Sequence, residues 1–183
     1  FMGLVGSEMC IRDRFNSKNT YEVFNPSNGE KLSDVPISDK KELELAVESA
    51  KKAQAIWSKT SLIGRVKCLE VLSKKILEKA EEVALIDSYD SGNALTGMRK
   101  DVKETVNNIR YFCGLVREVK GETFSMEKNH LNFTLYQPYG VVLKINPFNH
   151  PFRFCVEKIA APLLMGNSLI IKNSEQAPIS SLR

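Results

Sequence analysis

The order strand, helix, strand near the C-terminal end constrains this chain more than any other feature. "YGVVLKI" is a short β-branched run and "SLIIK" is a second buried-strand pattern. Between them an apolar helical segment runs from about Phe152 to Met165 and stops at Gly166-Asn167. Two strands joined through a helix with short connections make a βαβ unit, which predicts parallel pairing and a right-handed crossover. In open sheets of this kind, ligands bind outside the carboxyl ends of the strands, where loops converge and helix N-termini present unpaired N–H groups. Two polar sets fall there. Asn146 to Asn149 follow the strand that ends at Ile145, and Lys172, Ser174 and Glu175 follow the next strand. If the strands are neighbours, both sets line one crevice.

Upstream of that unit the pattern is mainly helical. "TYEVFNPSNGEKLSDVPI" holds two strand-like runs around the turn formers Asn25-Pro26-Ser27-Asn28-Gly29, which predicts a β-hairpin. Asp39 with Glu42 fits a capping box, and Leu43, Ala46, Val47, Ala50 and Ala53 place a first helix ending near Trp57. A second helix is expected from Ser61 to about Tyr89, interrupted at Gly92. A third is expected from about Ala94 to Val119, closed by Gly121. "LNFTLYQP" alternates like a half-buried strand. The predicted class is α/β: a leading β-hairpin, three long helices and a βαβ unit.

Composition narrows the function classes. Of 183 residues, 43% are hydrophobic and 26% charged, as in an ordinary globular protein. The net charge of +4 comes from lysines scattered through helix-like segments, without a basic block or interleaved aromatics, so no nucleic-acid partner is expected. No apolar run approaches the ~18 residues that span a bilayer, so no membrane partner is expected. Cys10, Cys68, Cys113 and Cys155 are widely spaced and form no metal pattern, which fits reduced thiols in a cytoplasmic protein with no metal. Residues 1–14 show no periodicity that joins them to the rest of the chain and are set aside as a non-native segment. The chain reads as a fragment of a longer protein.

Residue types sharpen the crevice. A lysine and a glutamate at one strand end can hold a ribose, the ammonium donating to a hydroxyl and the carboxylate accepting from the 2′-OH. A solvated ion pair on a loop is the equally open alternative. A carboxylate there repels a 2′-phosphate and tilts the expectation toward NAD, with NADP possible. The chain has no GxGxxG, so any dinucleotide must be held without the usual glycine-rich cradle. Asn149, fenced by Pro147 and Pro151, is either a turn residue or an amide aimed at developing negative charge. Lys158 is by default an exposed helical lysine, and His130 and His150 have no partner in a recognisable spacing.

Taken together, "YGVVLKINPFNHPF", "EKIAAPLLMGNSLIIKNSEQAP", the Arg65 segment, "DSYDSGNAL" and "FNPSNGEKLSDVPISDKKELELAVESAKKAQAIW" resemble the aldehyde dehydrogenase superfamily, betaine-aldehyde and general NAD(P)-dependent members included, over about residues 15 to 183. The resemblance implies the N-terminal part of a Rossmann-like cofactor-binding domain. Residues 15–129 would be its hairpin and helical part, 130–138 a bridging strand used in oligomerisation, and 139–183 the first, truncated βαβ of the core. It implies that the intact protein oxidises an aldehyde to a carboxylic acid with NAD(P), through a cysteine thiohemiacetal and thioester, as a homodimer or homotetramer. Position by position, Asn149 matches the oxyanion-hole asparagine, Lys172 and Glu175 the pair on the adenosine ribose with Ser174 between them, and Ile145, Asn146, Pro147 and Phe148 residues that wall the cofactor. Lys158 matches a lysine assigned as a charge relay in some members. The sequence departs from the family pattern at Asn173, where proline is usual, at Asn93, where lysine is common, and at Pro162, one place from the expected proline. The nucleophilic cysteine and general-base glutamate are expected beyond Arg183. A non-catalytic nucleotide-binding or oligomerisation module of the same fold is the competing expectation.

Overall fold

The computed structural model describes residues 19–182, so the expectation for residues 1–14 and the environment of Cys10 lie outside the described residues. The leading hairpin is present. Strands β1 (Thr20–Phe24) and β2 (Lys31–Pro36) pair antiparallel, with Val23 and Val35 turned inward. Buried Asn25 closes the turn by accepting the Ser27 N–H on its side-chain oxygen at 2.9 Å. Helix α1 (Lys40–Trp57) starts on the predicted capping box: the Asp39 carboxylate accepts the Lys41 and Glu42 N–H groups, and the Glu42 carboxylate accepts the Asp39 N–H.

The second predicted helix is two helices. α2 (Leu62–Glu78) and α3 (Ala80–Ser91) meet at Lys79, whose backbone (φ −111°, ψ 16°) leaves the helical region. The break turns a new face inward: α2 buries Val66, Leu69 and Ile76, whereas α3 buries Ala84 together with Asp87 and Asp90. Gly92 ends α3 at φ 76°, and a Cβ on it would also meet the Pro26 ring at 2.8 Å, so glycine is required there twice over. α4 (Leu95–Leu115) supplies the central stripe of Met98, Val102, Val106, Ile109 and Cys113. It ends earlier than the periodicity predicts, passing into a 3₁₀ turn over Val116–Glu118. Gly121 does not close it; that glycine instead leaves room for the carbonyl oxygen of Thr134, which packs against it.

Between α4 and the βαβ unit the chain forms only a short ribbon, β3 (Thr123–Phe124) with β4 (Asn132–Phe133). The half-buried strand expected over "LNFTLYQP" is not formed at that length. Leu131, Phe133, Leu135 and Tyr136 are each 60% exposed or more, because no described element packs over them.

The strands of the βαβ unit pair as the sequence predicts, while the connecting helix does not stay whole. β5 (Val141–Ile145) and β6 (Ser168–Lys172) pair in parallel, from Val141 opposite Ser168 to Ile145 opposite Lys172. The crossover is broken into α5 (Pro151–Glu157) and α6 (Ala160–Leu164). Pro162 explains the break: it has no N–H to donate to the carbonyl of Lys158, and its ring crowds that carbonyl. Gly166 (φ 86°) ends α6, and Asn167 ties the approach to both strands by accepting the Gly140 N–H at 3.0 Å and donating to the Pro162 carbonyl at 3.0 Å. A last short helix, α7 (Ile179–Leu182), follows β6.

One core joins these parts. Leu69, Val102, Val106 and Ile109 pack with Phe152, Val156, Ile159, Leu164 and Leu169, so the crossover is seated on α2 and α4. α1 is tied to the unit by polar contacts as well: Ser168 Oγ donates to the Ala50 carbonyl at 2.8 Å and Trp57 Nε1 to the Leu163 carbonyl at 2.8 Å.

Candidate functional site

The carboxyl ends of β5 and β6 lie side by side. The Asn146 N–H donates to the Lys172 carbonyl at 2.9 Å and carries the ladder one residue past the strands. The Asn146 side chain, buried, donates through Nδ2 to Asn173 Oδ1 at 3.1 Å, while its own Oδ1 has no partner among the described residues. The two polar sets singled out in the sequence therefore border one crevice, as parallel pairing requires.

Past Asn146, Pro147, Phe148 and Asn149 are exposed. The Asn149 carboxamide makes no hydrogen bond among the described residues, yet its backbone is held: the Asn149 carbonyl accepts from Asn93 Nδ2 at 2.7 Å. The next residue is held as well. His150 Nδ1 lies 2.5 Å from Asp101 Oδ2, and the buried Asp101 also accepts from Arg153 Nη1 at 3.1 Å. Pro151 then occupies the first position of α5, where a missing N–H costs nothing.

α5 has no cap from its own flank. Asp87, on α3, supplies one from outside, accepting the Phe152 N–H at 3.2 Å and the Ser180 hydroxyl at 2.5 Å. Asp90, one turn further along α3, accepts the Ile179 N–H at 2.6 Å at the start of α7, and its Oδ1 has no partner among the described residues. Burial pushes both carboxyls up to about 6, against the hydrogen bonds from Ser180 and Phe152 in one case and Ile179 in the other. One helix face thus anchors the helices that follow both loops of the crevice.

The β6 side is built differently. Lys172 Nζ lies 2.8 Å from Glu175 Oε2, with both side chains more than half exposed. That ammonium holds the Glu175 carboxyl below the usual range. Ser174 is buried between them, its hydroxyl accepting the Gln176 N–H at 3.2 Å. Ile145, at the end of β5, is exposed on the sheet face with Leu143. Lys158 is the C-cap of α5, the helix that follows the β5 loop. It stands exposed at the far end of α5, roughly 10 Å along the helix axis from Pro151, with Nζ 5.9 Å from the Phe154 ring centre.

Sequence reasoning missed Asp87, Asp90 and Asp101. Their signal was present: each falls on the apolar face of its helix, Asp87 and Asp90 alongside Ala84, and Asp101 alongside Met98, Val102 and Thr105. A cleft of about 390 Å³ opens at the other end of the strands, between Pro138, Met165 and Gly166 and the Arg65 side chain. Arg65 is already committed there, its Nε donating to the Leu164 carbonyl at 2.8 Å. No group of His, Cys, Asp and Glu among the described residues could hold a metal ion, and none of their helices is long and apolar enough to cross a membrane.

A parallel βαβ unit with polar residues at its strand ends, packed on a layer of helices, defines a mixed α/β fold. The sequence model of the aldehyde dehydrogenase family matches residues 14–183, and the chain belongs to that family. It is 34% identical over 165 residues to the aldehyde dehydrogenase tropH of Talaromyces stipitatus, covering 88% of this chain and 32% of that protein. A betaine aldehyde dehydrogenase of Staphylococcus aureus, solved with NAD+, superposes with a TM-score of 0.86 at 32% identity, over 91% of this chain and 34% of that one. An NADP-dependent glyceraldehyde-3-phosphate dehydrogenase of Bacillus halodurans, solved with NADP, superposes at 0.85 with 26% identity, over 90% of this chain and 36% of that one. The chain spans about a third of the length of the curated relatives it matches.

Proposed function

We propose that this chain forms part of the active site of an NAD(P)-dependent aldehyde dehydrogenase, supplying the oxyanion donor and one wall of the cofactor crevice. The observation that carries the reading is the state of Asn149: its backbone is held by Asn93 while its carboxamide is uncommitted among the described residues. A donor that meets charge developing on an aldehyde oxygen gains from a held backbone and from a carboxamide with no competing partner, and among the described residues Asn149 has both. In the intact protein a cysteine thiolate from outside this chain would attack the aldehyde, and Asn149 Nδ2 would donate to the resulting thiohemiacetal oxygen.

The residues at the strand ends fit a dinucleotide. Lys172 offers an ammonium and Glu175 a carboxylate, which suit ribose hydroxyls as donor and acceptor. Ile145, Pro147 and Phe148 would wall the bound cofactor, and Ser174 fixes the turn that carries Glu175. When bound, NAD(P) supplies the hydride acceptor. The carboxylate of Glu175 favours NAD over NADP, because a 2′-phosphate would lie against it.

Lys158 stays outside this constellation, and its contact with Phe154 favours a surface role over a charge relay. The exposed Leu131, Phe133, Leu135 and Tyr136 support a bridging role for residues 130–138 in a homodimer or homotetramer. The test is an assay of the intact protein with NAD or NADP against short aliphatic, hydroxylated and cationic aldehydes, following nicotinamide reduction. Aldehyde-dependent reduction faster with NAD is the expected outcome. No reduction with any aldehyde, while NAD still binds, would favour a non-catalytic nucleotide-binding module.

A further inference from the structure

We propose that Asn93 is a positioning residue for Asn149, holding the oxyanion donor at its backbone carbonyl; the proposal rests on the role given to Asn149 above.

The geometry is specific. Asn93 follows Gly92, whose left-handed backbone turns the chain sharply at the end of α3. Its main chain is fixed on both sides: the Asn93 carbonyl accepts from Ser88 Oγ at 2.7 Å, and its N–H donates to Ser91 Oγ at 3.3 Å. The side chain is thereby aimed across a separation of 56 residues to the Asn149 carbonyl, at 2.7 Å. A carbonyl only accepts, so the Asn93 amide must present its NH₂. The other contact of that NH₂, with Met98 Sδ at 3.9 Å, is weak.

The restraint acts where it is needed. Asn146 is locked to the sheet through its N–H, and His150 and Phe152 are locked by Asp101 and Asp87. Between those anchors, Pro147, Phe148 and Asn149 are exposed, and the Asn93 bond is the one described hydrogen bond that reaches Asn149 from another part of the fold. Without it the peptide after Asn149 loses its restraint from outside the loop, and the Cα that carries the carboxamide is free to shift. A misplacement of about 1 Å at a reacting centre costs up to ~10²-fold in rate.

Truncating Asn93 leaves its backbone bonds to Ser88 and Ser91 in place, so its effect on the fold is confined to one side chain. In the intact enzyme, Asn93→Ala is expected to lower kcat about tenfold with the KM values for aldehyde and NAD unchanged. In an Asn149→Ala background the same change is expected to have no further effect, because the group it positions is gone. An unchanged kcat in Asn93→Ala, or losses that multiply in the double variant, overturns the proposal. A lowered Tm with normal kcat also overturns it, since the bond is then only structural. If Asn149→Ala alone leaves kcat unchanged, the oxyanion reading itself has failed, and that result is distinct from the other three.

Discussion

The two loops that border the crevice leave the same two-stranded sheet and both run into helices anchored on α3, but the side chains they carry at the strand ends are held differently. The loop after β5 is pinned by α3, α4 and the turn between them, with buried Asp87 and Asp101 at its helical end and Asn93 on Asn149. The loop after β6 carries its two charged side chains on the surface, paired with each other. The difference fits the tasks proposed for them. A group that meets charge developing at one oxygen gains from a fixed position, because the surroundings then need no reorganisation during the reaction. Groups that grip ribose hydroxyls gain from being solvated and adjustable while the ligand enters and leaves, and an exposed ion pair adds little to folding.

Breaking the pinned side should therefore cost the most stability. Asp87→Ala removes the acceptor for the Phe152 N–H and the Ser180 hydroxyl in a buried place, and is expected to destabilise the intact protein by about 2–5 kcal/mol in urea unfolding. A loss within about 0.5 kcal/mol, on the order of a surface substitution, would mean that α5 is not anchored there.

The same carboxyls give the comparison a pH dependence. With folded values near 6 against an ordinary value near 4, Asp87 and Asp90 keep protons that the unfolded chain has released over that interval. Their contribution to stability is fully present below about pH 4 and is lost as pH rises through about 6. Asp90→Asn should flatten the fall in stability between about pH 4 and 6, by roughly 1–3 kcal/mol across the window. A slope identical to that of the parent would show that Asp90 ionises as it does in the unfolded chain.

The exposed side should respond in ligand choice and hardly in folding. Glu175→Gln is expected to leave the urea-unfolding midpoint unchanged while shifting the NAD-to-NADP affinity ratio several-fold toward NADP. An unchanged ratio would remove Glu175 from the ribose subsite.

Most of the frame was legible in the sequence because it is written in local periodicity. The hairpin turn at Asn25–Gly29, the capping box at Asp39 and Glu42, and the alternation of strand, helix and strand all act within a few residues. The errors came where local pattern competed with position in the fold. The stripe from Leu62 to Tyr89 looked continuous, yet the chain breaks at Lys79 so that α3 can present Asp87 and Asp90 to α5 and α7. Pro162 was visible and its consequence for the crossover was underestimated. "LNFTLYQP" alternated correctly, but alternation describes what a strand could bury, and no described element covers it. At the candidate site, position and residue type singled out Asn149, Lys172 and Glu175 but left their roles open, and the family resemblance supplied the roles proposed for them. Asn93 and the buried aspartates were not linked to it, because their partners lie tens of residues away and only the fold brings them together.

Whether Asn149 is a held donor or only a turn residue is decided by single-turnover nicotinamide reduction in Asn149→Ala, measured on the intact enzyme with aldehyde and NAD saturating. A held donor gives a rate lower by about 10² to 10³ with aldehyde and NAD affinities preserved. An unchanged single-turnover rate would contradict that role.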